Sequence, residues 1–297
     1  MTIVLAGCGR VGFDRDGEHD ASTVTGDGTI ADAPPPQPLC TNWSAFGAPV
    51  SLSAMNTNAL EWAPIGSSDG LTLVFSRGNT ASSMNVWMAT RMSTTAAFGN
   101  PVELTALSTA GSDDDGYLSS DRLEIFFDRG QPGTSTIYVS KRMTPSDVFG
   151  TPTAVTMTGF SGDNWAPALA DGDRTLYFNT RQTGPVQIAW ATRPTRADPF
   201  VYQGILNQLS PGNEVGFPAP SADGHELFFQ MFGSPIQVWV ARRANTSDPF
   251  GAGSHVTETS SSNGDGDPGL SADGTALYFA STRGGNMDLW SATRTCP

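Results

Sequence analysis

The residues of this chain best suited to chemistry are carboxylates set beside aromatic rings. They recur as Glu61-Trp62-Ala63-Pro64, Asp113-Asp114-Asp115-Gly116, Asp163-Asn164-Trp165-Ala166-Pro167, Glu214-Val215-Gly216-Phe217-Pro218 and Asp265-Gly266-Asp267-Pro268. Every copy has an acid, and three have an aromatic. Three readings fit. The acids can be structural, at a wet opening. They can hold a cation or a Lys- or Arg-bearing peptide through charge. Or Trp62 and Trp165 can stack on sugar rings while paired carboxylates act as acid and base in glycoside hydrolysis. The candidate set is Glu61, Trp62, Asp113, Asp114, Asn164, Trp165, Glu214, Asp265 and Asp267, and the sequence leaves all three readings open.

Other chemistry lacks parts. The three histidines are His19 near the N-terminus, His225 in a hairpin turn and His255 near an outer strand. None falls on an innermost strand, so a His-based zinc site or nucleophilic triad is not expected. There is no phosphate-binding glycine loop and no dinucleotide fingerprint. No cofactor or dedicated metal site is expected; a cation among the acids is the one ion the residues allow.

The elements that must position these residues are short strands in a repeat. Aligned on a turn Asp, the copies fall at Asp69, Asp121, Asp171, Asp223 and Asp273, at spacings alternating between 52 and 50 residues. A fixed period of this size marks an array or a propeller. Leu73-Val74-Phe75, Ile125-Phe126-Phe127, Leu176-Tyr177-Phe178, Leu227-Phe228-Phe229 and Leu277-Tyr278-Phe279 are strand-like, with no helical period. Asp-Gly turns such as Asp273-Gly274 join them as hairpins. The acid- and aromatic-bearing segments precede the first strand of each hairpin and reach one mouth of a central channel.

Four copies continue into an outer strand near Phe98, Phe149, Phe200 and Phe250, whereas the last copy ends at Pro297 without one. Ala45-Phe46-Gly47-Ala48-Pro49-Val50 supplies the pattern ahead of the first copy. The expected fold is therefore all-β: a five-bladed propeller of four-stranded antiparallel blades, closed by the N-terminal strand, which hides the sheet edges. Overlaying Arg294 and Phe46 on the spacing from Arg91 to Phe98 brings Cys40 and Cys296 to neighbouring positions. A disulfide is expected there, at the seam.

The pattern Pro268-x-Leu270-Ser271-x-Asp273-Gly274-x-x-Leu277-Tyr278-Phe279-x-Ser281-x-Arg283, then Asp288-Leu289-Trp290-x-Ala292-Thr293-Arg294, resembles the TolB-type, WD-like propeller repeat. The resemblance covers residues 43–297. Copy two departs from it at Arg122 and Gly116. Copy three carries an insertion at Asp173 and sets Trp190 one position off the register of Trp87, Trp239 and Trp290. The resemblance implies a propeller and a protein or peptide partner within an envelope complex, although propellers serve many unrelated functions. Arginines recur at Arg77, Arg129, Arg181 and Arg283, and at Arg91, Arg142, Arg193, Arg243 and Arg294. An anion-binding ring would use them; a scaffold that pairs one Arg per blade with carboxylates or carbonyls fits better, because a site breaks a repeat. The three Trp residues in register read as blade core.

Residues 1–8 end in Leu5-Ala6-Gly7-Cys8, which resembles the bacterial lipoprotein cleavage box, with Cys8 as the lipidated residue. The basic and apolar regions of a full signal are missing, so a truncated signal is expected, with the start codon upstream. Gly9 after the Cys implies the outer membrane, with the protein facing the periplasm or the cell surface. Residues 9–39, rich in Gly, Asp, Thr, Ala and then Pro, read as a disordered acidic tether. Residues 40–297 form the propeller. A net charge of −13 argues against nucleic acid and against adsorption to anionic lipid, so membrane contact is expected through the anchor alone. The expected function is a lipid-anchored envelope propeller that binds a protein or peptide and is not an enzyme. The alternative is a carbohydrate-active propeller, hydrolase or lectin, that uses the mouth carboxylates and Trp on a glycan.

Overall fold

The computed structural model describes Cys40 and residues 42–297, apart from 132, 183, 210 and 211. The expected lipobox at Cys8 and the tether at 9–39 lie outside the described residues. The described residues are built almost wholly of strands and turns. Among the described residues the one helix is a single 3-10 turn, Thr257–Thr259.

Five antiparallel blades follow in order. Blade one is Leu60–Gly66, Thr72–Gly78, Met84–Thr90 and Gly99–Glu103. Blade two is Asp113–Leu118, Glu124–Arg129, Thr136–Lys141 and Thr153–Ala154. Blade three is Trp165–Ala170, Thr175–Thr180, Gln187–Thr192 and Phe200–Ile205, and Met157–Thr158 adds a short strand parallel to its outer edge. Blade four is Val215–Pro220, Glu226–Met231, Gln237–Arg242 and Ser254–His255. Blade five is Asp265–Leu270, Ala276–Ser281 and Asp288–Thr293, completed by Val50–Ser51 from the start of the described chain.

Burial explains the composition of the second strands. They are covered on both faces, so they read as continuous apolar runs with an aromatic at the centre. Phe75, Phe127, Phe178, Phe229 and Phe279 are all fully buried. Five hydrophobic clusters sit one at each interface between blades, of which one joins Tyr278 and Leu289 of blade five to Leu73, Phe75 and Phe98 of blade one, and a smaller sixth packs Trp165, Ala166 and Val186 against Phe217 and Phe232. Trp87, Trp239 and Trp290 lie opposite this aromatic on the third strand but are only half-buried. They border the core rather than fill it, and Arg77 and Arg283 cover Trp87 and Trp290 at 4.5 and 5.1 Å.

The Ser-x-Asp turn closes on itself. Ser67, Ser119, Ser221 and Ser271 donate through Oγ to Asp69, Asp121, Asp223 and Asp273 at 2.5–2.7 Å. The same carboxylates accept the N–H two residues on. Copy three corrects the sequence alignment. Counted back from the buried Phe, Gly172 and not Asp171 stands in the place of the turn Asp, and no residue is inserted. Ala170 has no hydroxyl to form the Ser–Asp bond. Asp173 instead accepts from the backbone N–H and Oγ of Ser120 in blade two. Trp190 is one position off, with Ala189 opposite Phe178.

One Arg per blade is structural. Arg91, Arg142, Arg193, Arg243 and Arg294 each donate through Nε to a carbonyl of their own blade's hairpin turn. Each also lies over a Phe of the outer segment, at 4.2–4.3 Å for four of them and at 4.9 Å for Arg294 over Phe46. Phe46 therefore plays in blade five the part of Phe98 in blade one. The seam is a strand pair, Val50 opposite Ser291 and Ser51 opposite Trp290, extended by Gly47 N–H to the Thr293 carbonyl at 2.8 Å. The Cys40–Cys296 disulfide closes it, with Cα atoms 5.8 Å apart.

Candidate binding cavity at the channel mouth

The acid- and aromatic-bearing segments are not leaders to the first strands. In blades one, two and five they are the first halves of the innermost strands themselves; in blades three and four Asp163, Asn164 and Glu214 stand just ahead of strands that begin at Trp165 and Val215. Each innermost strand bulges at one residue in the left-handed region: Ala63, Asp115, Ala166, Phe217 and Asp267, at φ of 48–54°. Pro64, Pro167, Pro218 and Pro268 follow four of them; proline has no N–H to give to regular pairing, which suits a bulge. In blade two the follower is Gly116, where a Cβ would stand 2.6 Å from Val86 Cγ1. These ten residues surround the channel.

The bulged N–H reaches across to the preceding blade. Asp115 donates to Ser76 Oγ (3.1 Å), Ala166 to Asp128 Oδ1 (3.2 Å), Phe217 to Asn179 Oδ1 (2.8 Å) and Asp267 to Gln230 Oε1 (3.1 Å). Each acceptor directly follows the buried Phe of its second strand. At the seam that position is Ala280, which has no acceptor to offer. Asp128 is the ionisable member of an otherwise neutral set.

Strand alternation divides the sequence candidates. Glu61, Asp113 and Asp265 are buried and paired with Arg77 (2.9 Å), Arg129 (2.6 Å) and Arg283 of their own blades. Asn164 is buried too, accepting the Ile137 N–H at 2.8 Å. Glu214 is exposed and accepts the Val186 N–H at 3.1 Å. Trp62, Asp114, Trp165, Asp267 and the Arg-paired Asp265 line a cavity of about 540 Å³ together with Asp115, Asp128, Phe217, Gln230 and Phe232. Trp62 Nε1 donates to both oxygens of Asp114, at 2.8 and 3.1 Å. Trp62, Asp114 and Trp165 wall one side; the equivalent residues opposite are Gly216 and Gly266. A Cβ on Gly266 would stand 2.1 Å from Gln230 Oε1, so glycine there keeps the Gln230 bond to Asp267 intact.

The electrostatics are lopsided. Eight carboxylate residues are buried: Glu61, Asp113, Asp115, Glu124, Asp128, Asp173, Glu226 and Asp265. Six have a cationic partner among the described residues. The two without one are Asp115 and Asp128, and both line the cavity. Burial, then the charge of Asp114, raises Asp128 to about 7. The same two causes raise Asp267 to about 7. Asp115 is pushed well above the usual carboxylate range by burial, then by Asp114 and Asp128. Asp114 is raised by burial, against hydrogen bonds from Ser76 and Trp62. Clustered carboxyls of this kind hold shared protons near neutral pH. Asp115 Oδ1 is buried without a hydrogen-bond partner. No three His, Cys, Asp or Glu side chains among the described residues are placed to hold a metal ion.

Sequence reasoning left Asp115 and Phe217 out of the candidate set although both lie in the acid- and aromatic-bearing segments, and it passed over Asp128, Gln230 and Phe232. A signal for Asp128 was present: in the column after the buried Phe, the copies read Ser76, Asp128, Asn179, Gln230 and Ala280.

Fold and cavity define a five-bladed propeller with an acidic, aromatic-walled mouth. Similar solved structures include TolB from Acinetobacter baumannii, 16% identical with a TM-score of 0.53, over 82% of this chain and 56% of that one. This chain thus spans little more than half of that protein's length. A protein of unknown function from Dyadobacter fermentans is 10% identical with a TM-score of 0.55, over 84% and 98% of the two chains. An α-L-arabinofuranosidase from Podospora anserina is 10% identical with a TM-score of 0.54, over 86% and 97%. At these identities the likeness is one of fold. No protein-family model matches the chain, and no curated protein sequence does.

Proposed function

We propose that this protein is a binding module of the bacterial envelope, whose mouth cavity receives part of a protein or peptide partner without acting on it chemically. The observation that carries the reading is the pair of buried carboxyls, Asp115 and Asp128, left without a cation inside an aromatic-walled cavity. Every other buried acid among the described residues has a cationic partner. The module is held at the outer membrane through Cys8, on the strength of the Leu5-Ala6-Gly7-Cys8 box. No helix among the described residues is long and apolar enough to cross a membrane.

A second reading has its own support. A carboxyl that titrates near 7, such as Asp128, can serve as a general acid, and Trp62 and Trp165 can stack on sugar. The similar Podospora protein is an arabinofuranosidase solved with cellotriose, a likeness confined to the fold. One experiment separates the two readings. Parent and Trp62→Ala/Trp165→Ala protein are compared on a peptide array and on a panel of envelope and plant polysaccharides. Peptide binding lost in the variant, with no polysaccharide turnover by the parent, is the expected result. Turnover abolished by Asp128→Asn would replace binding by hydrolysis.

A further inference from the structure

The cavity combines two recognition elements that converge on one kind of ligand. On the floor, Asp115 and Asp128 are buried carboxyls with no cation, and Asp115 Oδ1 has no partner at all. Around them stand the rings of Trp62, Trp165 and Phe217. Aromatic faces attract cations, and the attraction grows as water is excluded. A neutral ligand would gain the rings and leave the charge uncompensated. A metal ion lacks three converging ligands. An alkylammonium satisfies both elements, with its methylenes against rings and its N–H donors on carboxylate oxygens.

We infer that the mouth cavity is a receptor for a primary alkylammonium group, with the carboxyls of Asp115 and Asp128 as its partners, Asp267 beside them, and Trp62, Trp165 and Phe217 enclosing it. This rests on the reading of the mouth as a binding site and names the chemistry it selects. The group can come from a free diamine or from the lysine side chain of a peptide.

Proton linkage follows from the neighbours. Asp128 faces Asp115 and Asp114 within blade two and the uncharged Ala166 of blade three; Asp113, also near, is neutralised by Arg129. Asp267, from blade five, faces Asp114 and Asp115. No cationic side chain pairs with any of Asp114, Asp115, Asp128 or Asp267 among the described residues, so an entering ammonium displaces the protons that Asp128 and Asp267 hold near pH 7. Affinity therefore rises with pH through the region of 7.

The test is calorimetric titration of the full chain with n-butylammonium, with n-butanol as the uncharged control. Putrescine and Nα-acetyl-lysine-methylamide distinguish the two sources. At pH 8 the parent should bind butylammonium saturably and butanol at least about tenfold more weakly. Affinity should fall by at least about tenfold at pH 5.5. Asp128→Asn/Asp267→Asn should lose binding while keeping its circular dichroism and a melting temperature no lower than that of the parent, so that loss of fold is not the cause. Equal binding of butanol and butylammonium, or undiminished binding by the double variant, would overturn the inference. A peptide whose binding depends on Trp62 and Trp165 but not on Asp128 and Asp267 would also overturn it while leaving the broader reading intact. If no ligand responds to the Trp62→Ala/Trp165→Ala change, the broader reading itself fails.

Discussion

Asp128 accepts the backbone N–H of Ala166 from the next blade at 3.2 Å, in the place where Ser76, Asn179 and Gln230 do the same without charge. An ionisable latch in a neutral series gives up stability that a neutral side chain would keep. That is the mark of a position retained for something other than holding blades together.

Asp128→Asn should therefore stabilise the protein. Folding raises the Asp128 carboxyl from 3.8 to about 7. Its favourable contribution is full below the unfolded value and is lost as pH rises through 7. Asn imitates the protonated form at every pH and keeps the oxygen that Ala166 needs. The variant should melt near the parent at pH 4 and higher by roughly 2–8 °C at pH 8. Melting curves across that range check both size and direction.

Glu61→Gln should behave in the opposite way. Glu61 is fully buried against Arg77 and also accepts from Thr57. Removing its charge leaves a largely buried guanidinium unpaired, at a cost of about 2–4 kcal/mol. Urea unfolding measures it. Ligand binding should be unchanged, because this side chain is committed to Arg77 and Thr57 rather than to the cavity.

Gly116→Ala should lose about 1–3 kcal/mol by overpacking. The added methyl would meet Val86 at 2.6 Å and Val74 at 2.8 Å. Val86→Ala in the same chain should recover part of the loss, and a double-mutant cycle reads the coupling.

Cys40→Ser should cost on the order of 3–5 kcal/mol by chain entropy, less whatever the seam strands already restrain. Hydrogen exchange should rise first in Val50–Ser51 and Asp288–Thr293, since no short loop joins that pair. Uniform loss across all five blades would contradict this.

Cys8→Ser should move the protein from the membrane fraction to the soluble one. Cell fractionation with both forms is sufficient, and an unchanged distribution would remove the proposed anchor.

The repeat made the fold legible. Once the hairpin was found five times, the missing outer strand and the Phe46 pattern specified the closure, and the arginine and cysteine spacings specified the seam. The cavity was harder to read for two physical reasons. A strand sends neighbouring side chains to opposite faces, so Glu61 and Trp62 share a motif but not a surface. The bulge at Asp115 and its equivalents then changes which face each residue meets, and nothing in composition announces a left-handed Ala or Asp. Asp128 was also masked by copy three, where alignment on Asp171 shifts the column that would have set Asp128 against Asn179.

The Cys40–Cys296 bond turns the backbone of residues 40–296 into a covalent circle. A protease that cuts one loop anywhere on that circle opens it without releasing a fragment. A nicked molecule would run at full mass until reduced, then separate into two pieces. Every blade would still be held by covalent bonds on one side and by its packed neighbours on both. The propeller can thus lose one peptide bond at any hairpin without losing a part.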